Sequence, residues 1–230
     1  MIKVQTAAAH GTTLDELPAL RFALVEAGKG LAQAGLVAGT AGNLSARFGE
    51  RVLITPTGSE LAHLDPGELT VVDLEGTVVS GTLAPASELA LHLAVYRHTD
   101  ASAIAHTHPL MATALACVLD ELPCIHPDLL ALGGAVRVAP YRTFGSADLA
   151  AVTLEALGDR RAVLMSNHGA LVIAPDVDGA VRASRLLEWA CGVYWHAAQL
   201  GEPRLLSSDQ QQAVREAIHQ GYGRTRPLGS

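Results

Sequence analysis

The stretch that most constrains this 230-residue chain is residues 103–109, Ala-Ile-Ala-His106-Thr107-His108-Pro109. The short apolar run reads as a buried strand. Pro109 ends it, because proline cannot donate to a sheet ladder. Side chains alternate faces along a strand, so His106 and His108 project the same way. Two parallel imidazoles at a strand end are half of a metal site. Zinc takes about four ligands, so the remainder must come from distant segments.

His168 is the first candidate. It lies in Ser166-Asn167-His168-Gly169, a tight loop between two short apolar runs. Alone, such a residue is more often a hydrogen-bonded loop histidine. Beside the 106/108 pair it is what a three-histidine site needs. Glu88 opens a helix, and the bland reading is a favourable interaction with the helix dipole. The sharper reading is a fourth ligand that also serves as general base. His92 follows Glu88 by four residues and shares its helix face. Packing is favoured over ligation for His92. His10, His98 and His219 sit in polar surroundings and read as surface residues.

The rest of the chain supplies one core. Hydrophobic residues make up 49% of it, but aromatics only 4%, so the core must be built from Ala, Val and Leu. One domain is the default at this length. A net charge of −7 argues against a general nucleic-acid binder. No run of about 18 uncharged apolar residues suggests a membrane span, and no signal segment opens the chain. Cys117, Cys124 and Cys191 form no CxxC pair and read as buried small hydrophobes in a reducing compartment. The expectation is a cytoplasmic protein.

Periodicity places a helix over 15–34, then a glycine-spaced loop over 35–45. Strands follow at 51–55, 69–73 and 77–79, the last two forming a hairpin about Glu75-Gly76. A helix opens at Pro85-Ala86-Ser87-Glu88 with Ser87 as N-cap. Strands at 136–139 and 162–165 flank a helix at 147–157, strand 170–173 follows, and 177–200 is the longest helix. The fold expected is α/β: a single-domain three-layer α/β/α sandwich with a central mixed, mainly antiparallel sheet. Residues 1–14 read as a flexible N-terminus and 15–203 as the domain. Residues 204–230 read as a polar tail, helical at best, able to move over the active site.

Three small-residue elements surround Glu88 in this reading: Gly42-Asn43, Thr57-Gly58 and the helix start at Ser87. Backbone N–H groups there can bind an anion, which suggests a phosphorylated substrate. In order, the chain then reads Gly42-Asn43-Leu44-Ser45, Ile54-Thr55-Pro56-Thr57-Gly58, Pro85-Ala86-Ser87-Glu88, His106-Thr107-His108 and Asn167-His168-Gly169. This set resembles the zinc-dependent class II aldolase/adducin-head family, and within it the fuculose-phosphate aldolase branch. The resemblance spans about residues 15 to 200. It implies one Zn2+ per subunit on His106, His108 and His168, with Glu88 as a further ligand that transfers protons. It implies phosphate at Gly42, Asn43, Thr57, Gly58, Ala86 and Ser87. It also implies a cyclic homotetramer with active sites between subunits, acting on a phosphorylated sugar without nucleic acid or membrane.

The chemistry suits the parts. Aldol cleavage develops charge on an enediolate, which a Lewis-acidic metal stabilises. The other aldolase solution is a lysine Schiff base. Only Lys3 and Lys29 occur here, and neither position suits a desolvated nucleophile. Two positions depart from the family pattern. Ala86 stands where fuculose-type enzymes carry a serine. Pro127, in His126-Pro127-Asp128, stands where they carry a tyrosine donor. That segment resembles the His-x-Asp of sister 4-epimerases, making Asp128 an accessory acid/base candidate, and Tyr222 is a weak candidate for a closing tail tyrosine. A ketose 1-phosphate aldolase is the leading expectation. Alternatives on the same scaffold are a sugar-phosphate 4-epimerase, a 3-oxo-tetronate phosphate decarboxylase and a methylthioribulose-1-phosphate dehydratase. Last comes a non-catalytic adducin-like protein, which should have lost the histidines.

Overall fold

The computed structural model of the protein describes residues 17–220. Helix α1 (Leu17–Gln33) is followed by four strands, β1 (Asn43–Phe48), β2 (Arg51–Ile54), β3 (Thr70–Asp73) and β4 (Val78–Ser80). Then come α2 (Leu89–His98), β5 (Ala103–Thr107), α3 (Leu110–Ala116) and the short β6 (Glu121–Leu122). The chain continues through β7 (Val136–Ala139), α4 (Ala147–Leu157), β8 (Ala162–Met165) and β9 (Gly169–Ala174). It closes with α5 (Val177–Leu200) and α6 (Ser208–His219).

The nine strands of the described residues form one sheet in the order β4-β3-β2-β1-β5-β9-β8-β7-β6. Only β7 and β8 run parallel, joined by the α4 crossover; every other pair is antiparallel. Strand alternation divides the core in two. Ala103, Ala105, Val172 and Leu164 face a layer containing α1, α3 and α5. Ile104, Leu171, Ile173 and Val163 face α2 and α4. The expected three-layer α/β/α architecture with a mixed, mainly antiparallel sheet is what forms. The alanines of β5 present only methyl groups, and α5 lies close over that strand.

Three local expectations are corrected. Residues 43–45 are not loop: Asn43-Leu44-Ser45 begin β1, paired with His106, Ala105 and Ile104 of β5. Tertiary pairing there overrides the glycine-rich context. Ser87 is not the N-cap of α2; Glu88 holds that position and makes no side-chain cap hydrogen bond. Its carboxylate is committed elsewhere. Cys117 is exposed, whereas Cys124 and Cys191 are buried as expected, and all three are free thiols.

Within the polar tail, α6 carries a capping box in which Ser207 and Gln210 exchange side-chain and backbone hydrogen bonds. Leu206 N–H donates to the Cys124 carbonyl, anchoring the approach to α6. The N-terminal residues 1–14, His10, Lys3 and Tyr222 lie outside the described residues. Among the described residues, no helix is long and apolar enough to cross a membrane.

Gly169 shows how tightly this end of the sheet is drawn. A Cβ there would run into the Thr107 carbonyl oxygen and lie 3.0 Å from the His108 ring. The obstruction is backbone, which cannot swing aside. Gly169→Ala is expected to destabilise the metal-free protein by about 1–3 kcal/mol, as overpacking does. Chemical denaturation checks this, and an unchanged midpoint would show the approach is looser than drawn.

Candidate metal centre and active site

Sheet register builds the site. Strands β5 and β9 pair His106 with Leu171 and Thr107 with Ala170. The next step along β9 is Gly169, so the preceding loop lies beside His108. That loop turns sharply between Met165 and Gly169, a paired couple of the β8–β9 hairpin. Asn167 adopts φ 54°, the only non-glycine residue with positive φ among the described residues. Asparagine tolerates this left-handed conformation better than most side chains. The turn aims His168 back at β5.

The three imidazoles stand nearly perpendicular to one another, with ring centroids 4.7 to 4.9 Å apart. One nitrogen from each of His106, His108 and His168 falls within a 4.8 Å cluster. Glu88 joins them from the start of α2. Its Oε2 is 2.9 Å from His106 Nε2 and its Oε1 is 3.4 Å from His168 Nε2. The carboxylate is buried, and Oε1 makes no hydrogen bond.

These contacts fit a cation. His106 Nδ1 lies 3.0 Å from the Ala170 carbonyl oxygen, which can only accept, so Nδ1 carries the hydrogen. In the neutral ring Nε2 is then a bare lone pair. It faces Glu88 Oε2 and, at 2.8 Å, His108 Nε2. Lone pairs so close repel unless a proton or a metal ion lies among them. An orphaned carboxylate oxygen and three converging imidazole nitrogens are the donor set of a divalent ion that suits nitrogen and oxygen ligands.

His92 is no part of this donor set. It is fully buried, with Nδ1 2.6 Å from Ser45 Oγ and Nε2 2.5 Å from Asn43 Oδ1. The favoured packing reading holds, with hydrogen bonds added. Asn43 Nδ2 donates to Glu88 Oε2 at 3.1 Å, and Ser45 Oγ is 2.8 Å from Tyr96 OH. Ser45 and Tyr96 were not singled out as site residues from sequence. Their signal was spacing: Ser45 follows Asn43 by two on a strand, and Tyr96 follows His92 by four on a helix.

The phosphate candidates also converge. A bridge between Pro56 and Pro85 sets the Thr57-Gly58 turn beside Ala86-Ser87. Asn43 touches Glu88 directly. Gly42, at φ 85°, lets the chain pass His106: a Cβ there would lie 2.9 Å from the His106 carbonyl oxygen and 2.7 Å from Val37 Cγ1. Asp128 stands apart. It is exposed, its N–H donates to His126 Nδ1, and no hydrogen bond or ion pair joins it to the histidine cluster. Lys29 is half exposed on α1 and pairs with Glu26, which suits no buried amine nucleophile.

A mixed sheet between two helical layers gathers three imidazoles at the end of β5 and the β8–β9 turn, and a carboxylate from the start of α2, into one group that could hold a metal ion. Residues 22–195 match the Class II Aldolase and Adducin N-terminal domain family, and the chain belongs to that family. It is 36% identical over 206 residues to a 5-deoxy-D-ribulose 1-phosphate aldolase of Bacillus thuringiensis, covering 88% of this chain and 96% of that protein. It is 35% identical to a 5-methylthioribulose-1-phosphate/5-deoxyribulose-1-phosphate aldolase of Rhodospirillum rubrum, covering 92% and 96%. Identity to the L-fuculose phosphate aldolase of Escherichia coli is 33%, covering 82% and 88%. Among solved structures, an L-fuculose 1-phosphate aldolase superposes with a TM-score of 0.85 at 33% identity, covering 92% of this chain and all of that one. The chain is thus an enzyme of the aldehyde-lyase kind.

Burial makes the site acid-sensitive. It holds the His92 pKa down to about 3, whereas the unfolded chain titrates near 6.5. Below pH 6.5 the unfolded state binds a proton that the folded state refuses, so stability falls as pH falls. Burial also lowers His108, to about 4, and His168, in the same direction. Burial pushes the Glu88 carboxyl up, but in the metal-free site, with a proton on His106 Nε2, the hydrogen bond and charge of that ring and the charge of His168 outweigh it. Held below the usual carboxylate range, Glu88 adds its own loss of stability only below about pH 4.5. Between pH 6 and 5 the metal-free protein should lose at least about 1.4 kcal/mol per pH unit, the slope for one proton. In His92→Gln that slope should shrink by about one proton. Denaturant titrations at several pH values measure it, and a flat profile would contradict the assignment.

Proposed function

We propose that the protein is a zinc-dependent class II aldolase that cleaves a ketose 1-phosphate reversibly to dihydroxyacetone phosphate and a short aldehyde. The observation that carries this reading is Glu88: a buried carboxylate set between His106 and His168, with one oxygen lacking a hydrogen bond. Zinc on His106, His108 and His168, with Glu88 as a displaceable ligand, would polarise the substrate carbonyl and its neighbouring hydroxyl, worth several kcal/mol.

The remaining work falls to side chains. In cleavage the C3–C4 bond breaks and its electron pair stays on C3, beside the carbonyl. The C4 hydroxyl gives its proton to water or the accessory base and C4 becomes the aldehyde carbon. Glu88, first protonated by water, delivers that proton to C3, and in the condensation direction the carboxylate removes one and returns it to water. The phosphate is assigned to the cradle of Gly42, Asn43, Thr57, Gly58, Ala86 and Ser87. The N–H groups of Thr57 and Ala86 already donate to the Ala84 and Thr55 carbonyls. The contacts therefore assigned are the Thr57 and Ser87 hydroxyls, the Gly58 N–H and the second amide hydrogen of Asn43. Gly42 and Ala86 allow close approach.

The names of the similar proteins, 5-deoxyribulose 1-phosphate and L-fuculose phosphate aldolases, support a ketose 1-phosphate with a short deoxy end. We assign the protein to the cytoplasm as a cyclic homotetramer with sites between subunits. Exposed Phe144, Trp189 and Leu200 offer apolar surface for such contacts. Asp128 touches no member of the cluster in its own chain, so its acid/base role is assigned across a subunit boundary. Tyr222 is assigned as the closing tail tyrosine.

The zinc-loaded protein is expected to release dihydroxyacetone phosphate from 5-deoxyribulose 1-phosphate or L-fuculose 1-phosphate in a coupled assay. Stereochemical inversion of ribulose 5-phosphate without cleavage would replace this reading with a 4-epimerase. Glu88→Gln should keep its zinc by elemental analysis while kcat falls about 10²–10⁴-fold, the usual span for a lost general acid–base. His168→Ala should lower the zinc content itself, and full occupancy in that variant would remove His168 from the ligand set.

A further inference from the structure

Behind Glu88, four buried polar side chains form a single file. Along α2 from its N-cap, Glu88, His92 and Tyr96 recur every four residues. Along β1, Asn43 and Ser45 recur every two. Four residues of helix rise about 6 Å and two residues of strand about 6.6 Å, so the two series keep step. The result is a zigzag in which Asn43 bridges Glu88 to His92, and Ser45 bridges His92 to Tyr96.

The polarity of this file is forced from one end. An ionised carboxylate only accepts, so Asn43 must turn its amide nitrogen to Glu88 Oε2. Asn43 Oδ1 then faces His92 Nε2, which must carry a hydrogen. The neutral ring leaves Nδ1 as an acceptor, so the Ser45 hydroxyl donates to it. Ser45 Oγ in turn accepts from Tyr96, whose phenol burial keeps protonated. Every donor points toward the carboxylate, and aligned hydrogen bonds strengthen one another. A 180° flip of the Asn43 amide would set oxygen against carboxylate and N–H against N–H.

We propose that His92, backed by Ser45 and Tyr96, is a positioning residue: it locks the Asn43 amide with its nitrogen toward Glu88 and so aims the carboxylate. This rests on Glu88 as the proton carrier, but the lock itself is a statement about hydrogen-bond direction. His92 has no contact with substrate in this scheme. Its effect reaches the reaction through Asn43.

Two measurements test it on the zinc-loaded enzyme. In 15N-edited NMR at pH 7, His92 should be the Nε2–H tautomer with a bare Nδ1, and the Nδ1–H tautomer would overturn the proposal. In kinetics, His92→Leu should lower kcat about 10²-fold, the scale of a misplaced catalytic group, with KM and zinc content nearly unchanged. His92→Gln, which can place an N–H near the Nε2 position, should restore most of kcat. Equal losses in the leucine and glutamine variants, or none in either, would reduce His92 to packing. Should His92→Leu not fold, Ser45→Ala takes its place: it should lower kcat and mix the His92 tautomers, and a single Nε2–H form with unchanged kcat would overturn the proposal. If the wild type cleaves no ketose phosphate, the proposed reaction fails, while the tautomer still decides the lock.

Discussion

One hydrogen bond underlies the chemistry of this molecule: His106 Nδ1 to the Ala170 carbonyl across β5 and β9. It fixes which nitrogen of the ring is bare. Because that nitrogen is buried and faces a carboxylate oxygen and a second imidazole, the fold holds a cluster of acceptors that cannot satisfy one another. Burying such groups is costly without a compensating charge. The expense is concentrated at one point, and that point is where a cation belongs. The remaining features of the site either bring acceptors to this point or control their direction.

The sandwich supplies the means. Its sheet is mostly antiparallel, so β5 lies between β1 and β9 with both ladders in tight register. One neighbour delivers Asn43 and Ser45 to the face of His106; the other delivers the His168 turn. Alanine at 103 and 105 lets α5 approach from the opposite face, while α2 covers the polar one. α5 also reaches the site from behind: both Glu188 carboxylate oxygens accept 2.8 Å hydrogen bonds from the Met111 and Ala112 N–H groups. That caps α3 just after the His108-Pro109 exit and steadies the strand end.

Much of this was legible in the chain. The pair at 106 and 108, with a terminating proline, reads through period two as half of a metal site at a strand end. His168 and Glu88 follow from the chemistry such a pair demands, and the strand read at 51–55 and the helices at 147–157 and 177–200 follow from simple periodicity. What could not be read was pairing between distant segments. Asn43-Leu44-Ser45 looks like loop because of its glycines, and becomes strand only because β5 offers it partners. Ser87 looks like a helix cap, but Glu88 takes that place. Asp128 carries a suggestive local pattern, yet its side chain stays exposed at the surface, away from the histidine cluster. His92 shows the difference most clearly: its helical position was evident, while its two hydrogen-bond partners sit nearly fifty residues away.

The ligand role proposed for His168 has a further consequence. It belongs to a hairpin, while His106 and His108 belong to the neighbouring strand, so an ion held by all three is a clasp between them. A clasp shares its equilibrium with whatever it fastens. At an ion concentration 100 times the dissociation constant, the fastened state gains about 2.7 kcal/mol over the open one. Conversely, any transient lifting of the hairpin turn withdraws a ligand and loosens the ion. Under the proposed ligation, metal residence time would follow local breathing of the β8–β9 turn, which carries the Asn167 backbone that aims the histidine.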